Sequence, residues 1–232
     1  MAFKWIEDGK FDNLPLPCFD DLRPAKGFAV IDLETTGFTP PTDKIVEIGV
    51  VLMDENFQPT HKIETLVNPM RSMNATRIHK IAAKDVEHSP RFQDISLSLF
   101  ALLNGRSVVA HNVGFEQRFL VSEFEKASFV NLKFLQSANF FDTMIAGPKQ
   151  IPNLGKSLGI LTKAVGISIP APHEALPDAL GTAKLLSLIG PTDTECGIPN
   201  RLHQAHIRTY DTQWQKRSIN YGLSLWQSRI RP

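Results

Sequence analysis

Cysteine is scarce in this sequence: its 232 residues hold two, Cys18 and Cys196, far apart and without metal-ligand spacing. That excludes a disulfide scaffold and a zinc ribbon. An excess of charge is lacking as well. Lys plus Arg number 25 against 24 Asp plus Glu, a net of +1. The chain therefore does not hold nucleic acid by bulk positive charge, although a local patch stays open. Long apolar runs are missing too, and stretches such as Ile48–Met53 fall far short of a membrane span. Where an export signal would need an apolar run, the N-terminus carries Glu7, Asp8 and Asp12, so no membrane partner and a soluble, cytoplasmic protein are expected. With 42% hydrophobic and 21% charged residues the chain is not disordered throughout, and its length allows a sizeable core.

Texture divides the chain in three. Residues 1–26, broken by Pro15, Pro17 and Pro24, read as an arm; 27–190 alternate apolar strands with helical stretches; 191–232 form an extension opened by Pro191. Within the middle segment, Phe28–Leu33, Ile45–Met53 and Thr60–Val67 read as three successive strands, an antiparallel meander. Phe92, Ile95, Leu99, Leu102 and Leu103 then recur at helical spacing and stop at Gly105. Ser107–Ala110 is a short buried strand, and Phe115, Phe119, Leu120 and Phe124 mark a second amphipathic helix. Phe140-Phe141 leads through Asp142-Thr143 into another helix, and Leu154–Val165 and Ala179–Ile189 are helical stretches. The order βββ–α–β–α–β–α predicts an α/β domain, a mixed sheet flanked by helices.

Three acidic segments carry the chemistry. In Asp32-Leu33-Glu34-Thr35-Thr36-Gly37, the carboxylates of Asp32 and Glu34 lie two residues apart on a strand, on one face and about 6.6 Å apart along it. Such a pair repels unless a cation or a proton intervenes. In His111-Asn112-Val113-Gly114-Phe115-Glu116, a strand ends and Glu116 falls in the first turn of a helix. In His173-Glu174-Ala175-Leu176-Pro177-Asp178, Pro177 suits the first helical position, with Asp178 at the helix start and His173 in the loop before it. Singly, each has a plain structural explanation: a frayed acidic strand end, a carboxylate favoured by a helix dipole, an exposed loop histidine. Jointly, four carboxylates and a histidine stand at strand ends and helix starts, the edge where α/β proteins build sites. Hard oxygen donors without a cysteine select Mg²⁺ or Mn²⁺. Two such ions about 3.5–4 Å apart form the clamp used for phosphodiester displacement.

Over residues 27–190 the sequence resembles the DnaQ-like (DEDDh) 3′→5′ exonucleases, the family that includes bacterial proofreading subunits. Asp32–Gly37 is similar to the first motif, D-x-E-T-T-G; HNVGFEQRFL, His111–Leu120, to the second; and His173 to Asp178 has the spacing of the third. Ile78-His79-Lys80-Ile81 resembles the I-H-G-I element and Phe141-Asp142-Thr143 the strand-end D-T. Two positions depart from the pattern: Glu116 stands where the second motif usually has aspartate, and Lys80 where the family usually has glycine.

The resemblance implies a ribonuclease H-like fold, a five-stranded mixed sheet with three antiparallel strands first and parallel strands after. It implies an exonuclease domain that uses two ions, Mg²⁺ or Mn²⁺, on nucleic acid with a free 3′ end, single-stranded DNA favoured, releasing nucleoside 5′-monophosphates. Asp32 would bridge both metals, Glu34 and Asp178 would complete one site, Glu116 would serve the other, and His173 would be the general base. Thr35 and Thr36 match positions near the terminal 3′-hydroxyl, and Ile78 and His79 match positions at the last nucleotide. For His79 a polar residue on a surface helix is an equal reading. The alternatives are an RNA-trimming exoribonuclease of the same family and a non-catalytic module that binds nucleic acid or a partner. The extension has six basic residues against three acidic, with Tyr210, Trp214, Tyr221 and Trp226 interleaved. It reads either as a stacking surface for single strands or as an amphipathic tail docking on the domain or on a protein partner.

Overall fold

The computed structural model describes residues 12–13, 26–73, 76–127, 135 and 140–190. Most of the arm and all of the 191–232 extension, with the stacking and docking readings attached to it, lie outside the described residues. Strands β1 (Asp12–Asn13), β2 (Phe28–Thr35), β3 (Ile45–Met53), β4 (Pro59–Leu66), β5 (Ser107–Ala110) and β6 (Phe140–Asp142) form one sheet in the order β1-β4-β3-β2-β5-β6. The meander β2–β3–β4 is antiparallel, and β5 and β6 add in parallel beyond β2. This is the expected five-stranded arrangement, extended at one edge by two residues of the arm that pair in parallel with β4.

Strand alternation divides the core. Ala29, Ile31 and Leu33 of β2 pack on one face with Val108 and Ala110 of β5, under α3 (Phe92–Leu103) and α4 (Val113–Lys126). Phe28 and Val30 point to the other face, where Ala179, Ala183, Leu186 and Ile189 of α7 (Ala175–Ile189) cover them. Smaller elements complete the chain: α1 (Thr76–His79), α2 (Ala83–Val86), α5 (Thr143–Gln150) and α6 (Leu158–Ala164). The helix expected over Leu154–Val165 is therefore shorter. Its start at Leu158 leaves the carbonyl of Lys156 to accept a hydrogen bond from His111 Nε2 at 2.8 Å. None of the described helices is long and apolar enough to cross a membrane.

Both partners that matter to the site are set by register. β5 pairs with β2 only from Phe28 to Val30, so β2 runs on past its parallel neighbour and presents Asp32 and Glu34 beside an open edge. On the other side β3 stays paired, with Gly49 opposite Asp32 and Glu47 opposite Glu34.

Candidate active site

Asp32 and Glu34 continue the face of β2 that carries Phe28 and Val30, so they emerge where the α7 side of the core ends. Helix α7 begins at Ala175, two residues earlier than the position of Pro177 suggests. Proline is accommodated in that first turn because its missing N–H would have no intrahelical partner there. His173 lies before the helix with φ of +65°, in the left-handed region, and its N–H donates to Asp178 Oδ2 at 3.1 Å. That turn lets residues five apart converge. Ligand atoms of Glu34, His173 and Asp178 all lie within 4.8 Å of one another, close enough to share one cation.

Glu116 approaches from the opposite layer. Asn112, at φ of +89°, turns the chain out of β5 and into α4, and its N–H donates to Asp142 Oδ1 at 3.0 Å. Asp142 also accepts the N–H of Met144 at 2.9 Å, capping α5. The first turn of α4 so oriented delivers Glu116, 4% exposed, with Oε2 buried and without a hydrogen-bond partner among the described residues. His111, by contrast, is spent on structure, its Nδ1 2.9 Å from Thr143 Oγ1.

Electrostatics unites these groups. Burial pushes Asp32 well above the usual carboxylate range, and the charges of Glu116, Asp178, Glu34 and Glu47 push it further. Glu34 is raised to about 8 by burial, then by Glu47 and Asp178. Glu116 is raised to about 8 by burial, with Asp142 and Glu34 adding to the effect and its own helix amide and Arg118 opposing it. Asp178 is raised by burial against the pull of the His173 N–H. Four carboxylates that burial holds back from ionising, three of them repelled further by members of the set, form a site suited to positive charge. The donors are hard oxygens with one imidazole, and Glu116 Oε2 is an orphaned buried acceptor, so the residues fit a hard divalent cation.

The remaining expected positions behave differently. Thr35 is buried and its hydroxyl donates to the carbonyl of Gly37 at 2.6 Å. Thr36 is fully buried, and its hydroxyl donates to Asp43 Oδ1 at 3.2 Å while accepting the N–H of Lys44 at 3.0 Å. Both hydroxyls shape the turn after β2. Ile78 is 44% exposed. His79 is buried, so it is not a surface polar residue; its Nδ1 accepts the N–H of Ile81 at 3.1 Å. Lys80 has φ of +63°, which explains why a glycine suits that position. The sequence reading missed Glu47. The signal was available: a single charged residue inside the otherwise apolar run Ile45–Met53.

A groove of about 760 Å³ runs from His173 and Asp178 along α6, past Thr162 and Lys163. Of the four acids, Asp178 is the one among its lining residues.

Comparison with known proteins gives the family and the fold. The family model described as Exonuclease matches residues 29–186. The DNA polymerase III subunit epsilon of Rickettsia typhi is 27% identical over 199 residues, covering 82% of this chain and 87% of that protein. The 3′-5′ exonuclease DinG of Bacillus subtilis is 33% identical over 156 residues, covering 66% of this chain but 16% of its own length. Among solved structures, exonuclease X in complex with 5′ overhanging duplex DNA superposes with a TM-score of 0.57 at 26% identity, covering 72% of this chain and 93% of that one.

Proposed function

The chain belongs to the exonuclease family, and from that premise we infer that it is a 3′→5′ exonuclease acting on single-stranded nucleic acid, DNA preferred, which releases nucleoside 5′-monophosphates. The observation that carries this reading is the convergence of Asp32, Glu34, Glu116 and Asp178, from one face of β2 and the first turns of two helices, onto one edge of the sheet. The DNA preference is drawn from the DNA-directed relatives.

In this reading Asp32, Glu34, Glu116 and Asp178 are the side chains that hold two divalent ions, magnesium or manganese. Bound there, such ions neutralise charge on the scissile phosphate and lower the pKa of an attacking water. His173 accepts the proton of that water, acting as general base. Its backbone bond to Asp178 fixes the loop from which the ring reaches the site. The water oxygen joins phosphorus, the bond to the 3′-oxygen of the penultimate nucleotide breaks, and that oxygen takes up a proton. The turn shaped by Thr35 and Thr36, together with exposed Ile78, receives the terminal nucleotide, with His79 packed beneath. Lys163 in the groove supplies a cation to the incoming backbone.

Product analysis over time on 5′-labelled DNA and RNA strands, with magnesium, manganese or chelator, tests the assignment. Stepwise shortening from the 3′ end that chelator stops, and that Asp32→Ala abolishes, is expected. Shortening of RNA alone replaces the DNA preference with an RNA-trimming activity. Binding without shortening in excess manganese overturns the enzymatic reading.

A further inference from the structure

Glu47 has no part in the chemistry just described, yet it stands beside the site, across the ladder from Glu34. It is 8% exposed, lies directly across β3–β2 from Glu34, and adds to the repulsion felt by Glu34 and Asp32. A further negative charge there works against the ionisation of its neighbours, so its value must lie in what its oxygen holds. Glu47 Oε2 accepts the N–H of Ala175 at 2.9 Å, across 128 residues of sequence. Ala175 is the first residue of α7, whose amides have no partner within the helix. Two residues along β3, Gly49 makes the approach of that helix possible. A Cβ on Gly49 would fall 2.4 Å from the carbonyl carbon of Ala175 and from the nitrogen of Leu176. The helix start is thus seated on a bare glycine and tied down by the carboxylate beside it. Asp178 follows less than one turn later, and His173 precedes by two residues.

We propose that Glu47 is a positioning residue of the exonuclease site, anchoring the start of α7 to β3 so that Asp178 and His173 stay in register with Asp32 and Glu34. The inference rests on the exonuclease reading of those four side chains. What Glu47 contributes is an acceptor at a given reach, and its charge is incidental.

Two substitutions separate reach from charge. Glu47→Gln keeps a side-chain oxygen at the same distance and loses the charge; Glu47→Asp keeps the charge and falls short by one carbon–carbon bond. Manganese affinity of the metal-free protein, measured by electron paramagnetic resonance, is compared with kcat and KM on a single-stranded DNA and with thermal unfolding. For Glu47→Asp, manganese affinity and kcat are expected to fall about 10–100-fold, the range for removing a group that orients a ligand, with KM little changed. Glu47→Gln is expected to recover most of both. The proposal is overturned if folded Glu47→Asp matches wild type in manganese affinity and kcat, or if Glu47→Gln is as impaired as Glu47→Asp. Should Glu47→Asp fail to fold, Glu47→Gln decides alone: a folded protein that has lost more than about tenfold in both readouts excludes positioning by an acceptor. Asp32→Ala is run alongside. If it leaves cleavage intact, the exonuclease reading of the acids fails, whereas the manganese comparison still reports on Glu47.

Discussion

Glu34 and Glu47 face each other directly in the β2–β3 ladder, two carboxylates side by side on the same face of the sheet. Like charges so placed destabilise an antiparallel pair; burial first, and then the charges of Glu47 and Asp178, hold the proton on Glu34 up to about 8, against an ordinary value of 4.5. The sign of the stability effect follows. A carboxyl whose folded pKa is raised binds more protons folded than unfolded between those two values. It therefore disfavours the metal-free fold increasingly as pH climbs from 4.5 to about 8. Glu34→Gln is expected to stabilise the metal-free protein by about 2 kcal/mol near pH 8.5 and to change little near pH 4.5. Denaturant unfolding in chelator at the two pH values measures this, and an equal effect at both would refute it.

On the proposed reading the same carboxyls set the pH dependence of activity. Protons and divalent ions seek the same oxygens of Glu34 and Glu116, both held up to about 8. In that reading, lowering the pH protonates them and releases the ions, so the rate is expected to fall on the acid side. Raising magnesium about twentyfold is expected to move that acid limb downward by about one pH unit. Rate–pH profiles at the two magnesium concentrations test this, and a limb that stays in place belongs to a group outside the carboxylate set.

Much of this architecture was legible in the chain. Alternation in Phe28–Leu33 marked both the strand and the shared face of Asp32 and Glu34, and the helix-start positions of Glu116 and Asp178 brought them to the same edge. What escaped depends on tertiary approach. Pro177 suggested where α7 should begin, but the bond from Glu47 to Ala175 holds the start two residues earlier. Glu47 looked like a stray acid in a strand because its partner is 128 residues away. His79 sat at a position that short helical periodicity could not classify, and only packing makes it buried. Thr36 matched a motif by type, while its hydroxyl is consumed by Asp43 and Lys44 in a turn that closes seven and eight residues later.

Glu116 offers a test of reach in a different element. Its buried Oε2 lacks a hydrogen-bond partner among the described residues, which suits the ion-holding role proposed for it. Glu116→Ala is expected to lower kcat by about a thousandfold with either ion, the scale of losing an electrostatic contact made in the transition state. Glu116→Asp draws the carboxylate back toward α4 by one methylene. Because magnesium tolerates distorted coordination poorly, the aspartate variant should lose more of its magnesium-supported rate than of its manganese-supported rate. Parallel kcat measurements in the two ions check the ratio, and an unchanged ratio would remove Glu116 from the ion-holding set.

Gly49 carries the last prediction, because it separates space from chemistry. An alanine there places its methyl carbon 2.4–2.5 Å from the backbone of Ala175 and Leu176, and backbone cannot rotate away as a side chain can. Either β3 bends or the start of α7 lifts. Gly49→Ala is expected to destabilise the protein by about 1–3 kcal/mol, the usual range for overpacking. Asp178 lies three residues beyond Ala175, so kcat should drop at least about tenfold even where the protein remains folded, as small misplacements at a reacting centre do. Gly159→Ala is the control: nothing lies within 4 Å of its added carbon, and it sits inside α6. There alanine is expected to stabilise by about 0.5–1 kcal/mol. If Gly49→Ala behaves like Gly159→Ala, the helix start does not rest on that glycine, and the seat from which Asp178 reaches the acids lies elsewhere.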